Sequence, residues 1–230
     1  MPRPARSPDT SPSPKARILE AARAVVAESG WREAQIALIA HRAGVATGSV
    51  YRHFESKADL YAQVLAMVSE REVAVVTAIV DSDGPASQRL VDAIYAFALR
   101  ALRGRRLAYA LIAEPCEPEI DLARLRYRAA LADQIARLVA EGTGSGEFID
   151  VPPPLAASCV AGAFMEALVG PLSPAGPVDA SGAFDADAVP DLPEARRVAQ
   201  AIASVCARMV FLRAAPQLTL VSRHVARGQA

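Results

Sequence analysis

The chain has 230 residues, enough for one small and one medium domain or for a single large one. Hydrophobic residues make up 52% of it, much of that alanine, and aromatics only 5%, a balance that favours closely packed helices. The formal net charge of zero argues against a uniformly basic nucleic-acid coat, yet residues 1–57 carry nine Lys or Arg against five acids, a net +4 that leaves −4 for the rest. A basic head on an acidic body is the charge footprint of a nucleic-acid reader joined to a separate sensing domain.

Residues 1–12 are rich in Pro and Ser and read as a disordered tail. Ser13-Pro14 combines a helix cap with a proline at the first helical position, and Ile18, Ala22 and Val25 form the inward stripe of a helix that closes at Gly30. Residues 35–57 read QIALIAHRAGVATGSVYRHFESK. Ile36, Ile39, Ala40 and Ala43 give a short apolar period. Gly44 then turns the chain, and a second short segment follows around Val50 and Phe54. With Val45, Val50 and Phe54 inward, Thr47, Gly48, Tyr51 and Arg52 share the outer face, and Ser49 and His53 lie beside them. Hydroxyls, an aromatic, an imidazole and a guanidinium on one exposed face suit the DNA major groove. Ser56 to Asp59 forms a capping box that sets Lys57 at a helix N-terminus, where an ammonium and free N–H groups can hold one phosphate.

Ile39-Ala40, Ala43-Gly44-Val45, Gly48-Ser49-Val50-Tyr51, His53-Phe54 and Lys57 with Leu60 together resemble the DNA-binding signature of the TetR/AcrR family of bacterial transcriptional regulators, over roughly Lys15 to Val64. The resemblance implies an all-α protein. Its parts would be a three-helix DNA-binding head over 13–57, a helical ligand-binding and dimerisation domain over 58–214, and a tail over 215–230. It also implies DNA contacts at Thr47, Ser49, Tyr51, Arg52, His53 and Lys57, with Gly48 leaving room for the groove. Two places depart from the pattern. Gln35, Ala37 and Leu38 stand where a Thr cap and polar residues are usual, and Ala46 stands where a capping Ser is common.

Helices are expected next over 56–81, 87–103, 105–113 and 119–141. Residues 142–146 (GTGSG) read as a flexible turn; a phosphate loop is disfavoured there because no strand precedes it. Helices over 152–169 and 193–214 flank a Pro-, Gly- and Asp-rich stretch, 171–193, read as a mobile loop. The total is about nine helices and no strand.

Chemical motifs are scarce. There is no Gly-x-Ser-x-Gly elbow, no His-Glu-x-x-His and no dense Cys/His cluster, so neither enzyme activity nor a cofactor or metal is expected. Glu114, Cys116, Glu117 and Glu119 read as a solvated loop rather than a metal site, and redox sensing at Cys116 is a minority idea that needs a nearby arginine. Cys116, Cys159 and Cys206 have no paired spacing, the N-terminus has no signal-like apolar run, and no stretch is read as a membrane span. A cytoplasmic protein without a membrane partner is therefore expected.

Tyr95, Tyr109 and Tyr127 are the candidate polar groups of an aliphatic ligand cavity between Tyr61 and Val169. Along the last helix, Ala195, Ala199, Ala203 and Ala207 recur every four residues, beside Ile202, Val205 and Met209. This small-residue ridge is expected to form the homodimer interface, with Ala157, Ala161 and Phe164 facing it. The combined expectation is a dimeric transcriptional regulator, a repressor that leaves a near-palindromic double-stranded DNA operator when a small-molecule effector binds. The alternative is a helical ligand-binding or enzymatic protein whose head has lost DNA binding, suggested by the apolar run after Gln35.

Overall fold

A computed structural model describes residues 12–173 and 192–211. Among them are nine helices and no strand. In chain order they are α1 (Pro14–Glu33), α2 (Ile36–Ala43), α3 (Thr47–Val50), α4 (Lys57–Val80), α5 (Ala86–Arg103), α6 (Arg105–Ile112), α7 (Pro118–Gly144), α8 (Pro153–Leu172) and α9 (Leu192–Ala207). The tail 1–11, most of the expected loop 171–193, and everything after Phe211 lie outside the described residues.

Local chemistry sets the helix ends of the head. The Ser13 hydroxyl accepts the Ala16 N–H at 3.2 Å, and Pro14 fills the first helical position. At Gly30 the backbone swings to φ 79°, ψ −179°, a region essentially restricted to glycine, and residues 31–33 add one further turn in a new direction. Gly44, at φ 66°, closes α2 in the left-handed conformation while the Val45 N–H bonds the Ala40 carbonyl at 3.0 Å. Ser56 caps α4 by accepting the Asp59 N–H at 3.0 Å.

The apolar residues sort into two cores. The head core joins Ile18, Val25 and Trp31 to Ile39, Val50 and Phe54. It is completed by Leu60, Tyr61, Val64 and Leu65 of α4, Ala110 and Leu111 of α6, and Ile120 of α7, so its packing extends past residue 57. The body core is built around α5, whose Leu90, Ile94, Phe97 and Ala101 meet α4, α7, α8 and α9. The two cores share α4, which passes lengthwise from one to the other.

Two body features differ from the sequence expectation. The Gly-rich stretch is not a flexible turn at its start: α7 continues through Gly144, because Gly142 is the seat of the Phe148 ring and any side chain there would collide with it. Phe148 in turn stacks on Phe211, with ring centroids 5.7 Å apart. Second, α8 is long and apolar enough to cross a membrane by length and composition. Here it is a core helix, burying Val160, Phe164, Met165 and Leu168 within the body.

Candidate nucleic-acid interface and ligand cavity

The helix-turn-helix is arranged by burial. Val50 and Phe54 are fully inside the head core, which pins α3 and the turn after it and leaves Thr47, Gly48, Tyr51, Arg52 and His53 outward, with Ser49 half-buried. Tyr51 is 55% exposed, unusual for a large aromatic with no partner helix on it. A Cβ added at Gly48 meets nothing within 4 Å, so its face is open. Lys57, the first residue of α4, has its ammonium 5.2 Å from the centroid of the Tyr61 ring, a cation–π contact that holds the charge beside the helix start. All seven sequence-predicted DNA-contact residues therefore lie along one short stretch, six on α3 and the turn after it and Lys57 at the head of α4. Neither Gln35 nor Ala46 makes a side-chain cap, and Leu38 is 44% exposed on α2. Arg42 braces α2 against α1 through Glu28 at 2.7 Å.

The sequence profile of bacterial regulatory proteins of the tetR family matches residues 18–64, the stretch that builds this head. The head, residues 18–64, matches the TetR family. Over 44 residues the chain is 43% identical to the fatty acid metabolism regulator protein of Bacillus subtilis, a segment covering 19% of this chain and 23% of that relative. Solved structures extend the likeness to the whole fold. FadR of Bacillus subtilis, in complex with stearoyl-CoA, superposes with a TM-score of 0.66 at 18% identity, over 83% of this chain and 96% of that one. RolR, in complex with resorcinol, gives 0.61 at 20% identity, over 86% and 87%. At such identities the likeness carries the all-helical TetR-family fold and no particular ligand.

In the helical body a cavity of about 270 Å³ opens between α4, α5, α6 and α7. Phe97, Leu107, Leu111 and Ile112 supply its apolar walls, and Tyr127 closes one side with its ring 6.5 Å from that of Phe97. Burial pushes the Tyr127 phenol well above its usual value; the Glu72 charge adds to this and Arg100 opposes it, so the phenol stays neutral. At the mouth, Arg100 grips Glu72 with two bonds of 2.7 Å, joining α5 to α4. Tyr127 and Ser69 also border a second, more open groove of about 530 Å³ between α4 and α7. Tyr95 and Tyr109 line neither space; both are half-buried against the body core.

Sequence reasoning missed Ser69 and the arginines around the cavity. The one available signal was a lone hydroxyl within the apolar series Leu65, Val68, Val76 of α4. Burial, with added pressure from Asp121 and Glu117, raises the Cys116 thiol to about 11, and the opposing Arg124 charge does not offset this, so the thiolate that redox sensing needs is disfavoured.

The expected dimer ridge needs correcting. Ala199, Ala203 and Ala207 are wholly buried within the chain, as is most of Ile202, because their small side chains let α9 pack closely on α5. Ala157, Ala161 and Phe164 are likewise inside the body core. The outer face of α9 instead presents Val205, 65% exposed, and Met209. Beside it α8 exposes Ser158, Cys159, Gly162 and Glu166, with open space over Gly162.

Proposed function

We propose that the protein is a dimeric, ligand-responsive transcriptional repressor that binds a near-palindromic operator through α3 and releases it when a small molecule fills the body cavity. One observation carries this reading. Thr47, Gly48, Tyr51, Arg52 and His53 are outward and uncovered while Val50 and Phe54 anchor the same turn, so a face of polar and aromatic groups is held rigidly at the surface. Such a face enters a major groove, and Lys57 secures the adjoining phosphate. A dimer sets two such faces at successive grooves, and the outer surfaces of α8 and α9, with Val205 and Met209 at their apolar centre, are the ground on which it forms. The structures named above include a regulator solved with stearoyl-CoA and RolR solved with resorcinol, which supports a cavity in this fold as the effector site.

The exposed Leu38 and the missing side-chain N-caps of α2 and α3 favour the rival reading, a ligand-binding protein whose head no longer holds DNA. A gel shift with the region upstream of the protein's own gene and with random DNA of equal length separates the two. Retention of the upstream fragment at salt that releases random DNA is the expected result. Equal affinity for both, or none, would overturn the regulator reading.

A further inference from the structure

Ser69 of α4 is only 6% exposed, borders the cavity, and its hydroxyl has no hydrogen-bond partner. Buried hydroxyls normally have one, and a bound molecule is the natural source of a partner facing an open space. The mouth of the same cavity collects Arg23 from α1, Arg71 from α4, and Arg100 and Arg103 from α5, against the single acid Glu72. Arg23 is engaged by Glu20, and Arg100 by Glu72. Arg71 and Arg103 form no ion pair among the described residues and lie largely in solvent, though the Arg71 charge adds, behind the Arg23 hydrogen bond, to the lowering of the Glu20 carboxyl. Counting Glu20 with the lining group leaves four cations against two anions, a net +2 at the entrance to an otherwise apolar space.

We propose that the cavity takes a small amphipathic carboxylate. Its apolar body lies against Phe97, Leu107, Leu111 and Ile112, its carboxylate is held by Arg71 and Arg103, and the Ser69 hydroxyl bonds a polar atom of the ligand. Planar guanidinium groups match a carboxylate in a way that a neutral head group does not. The volume of about 270 Å³ equals the liquid share of about nine waters, which limits the buried part to roughly ten non-hydrogen atoms. Because Arg23 belongs to α1, the bound charge sits beside the head itself and not only within the body. This assignment rests on the cavity being the effector site of the regulator proposed above.

The test is calorimetry on the full chain with octanoate, octanol and octylamine, which share one apolar length and differ in charge. Octanoate is expected to bind at least about tenfold more tightly than octanol, and octylamine more weakly than either. The double change Arg71→Ala with Arg103→Ala should lower octanoate to the octanol level without altering octanol. Arg106→Ala, an exposed arginine of α6 outside the cavity, should leave the preference intact and serves as the control. Ser69→Ala should weaken octanoate binding while the melting temperature is held or raised, since it removes an unpaired buried hydroxyl. Failure of octanoate to bind, equal binding of octanoate and octanol, or a preference that survives the double change overturns the proposal. A gel shift on the same samples without ligand reads the regulator function separately, so either reading can fail while the other stands.

Discussion

The Glu114 carboxylate accepts the backbone N–H of Trp31 at 3.1 Å, spanning 83 residues of sequence to tie the end of α6 to the kinked end of α1. The same junction is locked twice more. The Trp31 indole N–H donates to the Ala110 carbonyl at 2.6 Å, and the buried Arg124 guanidinium reaches the carbonyls of Ala110 and Glu114, each at 2.6 Å. Polar contacts therefore join the α6 end directly to α1, and Arg124 fastens α7 to that same end of α6. The Tyr61 hydroxyl, which donates to the Ala34 carbonyl, adds a parallel link from α4.

Glu114→Ala is expected to leave the Trp31 and Arg32 N–H groups without their acceptor and to cost about 1.5–3 kcal/mol in urea denaturation. Glu114→Gln keeps an acceptor oxygen and should cost less. Gly30→Ala should also destabilise, by about 1–3 kcal/mol, since a Cβ there would sit 2.7 Å from a Glu114 oxygen on backbone that only glycine adopts easily. Equal stability of Glu114→Ala and the parent would show that the junction is incidental.

Glu147 gives a pH signature. Its carboxylate caps the start of α5, accepting from the Ser87 hydroxyl and N–H and from the Ala86 N–H at 3.2 Å, with the Ser145 hydroxyl adding a further bond. These bonds hold it at about 2, below its ordinary 4.5. A depressed folded value means that the ionised group stabilises the fold above about pH 4.5 and that this contribution fades as pH falls toward 2. Glu147→Gln should therefore melt lower than the parent near neutrality, and the two melting curves should converge in acid. A gap that is constant with pH would contradict the cap.

How much could be read beforehand depended on the range of the interaction. The helix-turn-helix was legible because its determinants are local: Gly44, Val50, Phe54 and the Ser56 cap act within a few residues of one another. The Gly30–Glu114 junction was not, since nothing near Gly30 announces an acceptor from α6. The alanine ridge of α9 was seen but assigned to the wrong contact, because small residues every four positions permit close approach equally well to a neighbour in the same chain or in a partner. Residue type alone marks Tyr95, Tyr109 and Tyr127 as cavity candidates, and of the three only Tyr127 lies on the α4–α7 seam that borders the open space.

The proposed dimer face, narrowed to the exposed side of α9, makes opposite predictions for two residues a turn apart or less. Val205→Glu, on the exposed side of α9, should yield monomers on a sizing column while leaving helicity intact. Ala203→Glu, at zero exposure in the body core, should lower stability by roughly 4 kcal/mol or more, whatever the state of association. A Val205→Glu protein that remains dimeric would remove this face from consideration.

The recognition turn separates reading from positioning, and Gly48 makes the sharpest case. With nothing within 4 Å of its added Cβ, Gly48→Val meets no obstacle within the protein itself, so melting should be nearly unchanged. In a groove the same side chain holds α3 away from the bases, so operator binding should be lost. Lys57→Ala removes a phosphate contact and should weaken operator and random DNA alike, lowering the slope of log affinity against log salt by about one. Thr47→Ala removes a group placed for a base edge and should cost about 1–3 kcal/mol on the operator with little change on random DNA. The three variants, measured on both DNAs across a salt series, decide the assignment. An operator-only loss for Lys57→Ala, or equal losses on both DNAs for Thr47→Ala, would reverse the two roles. Intact operator binding by Gly48→Val would place the DNA on another face.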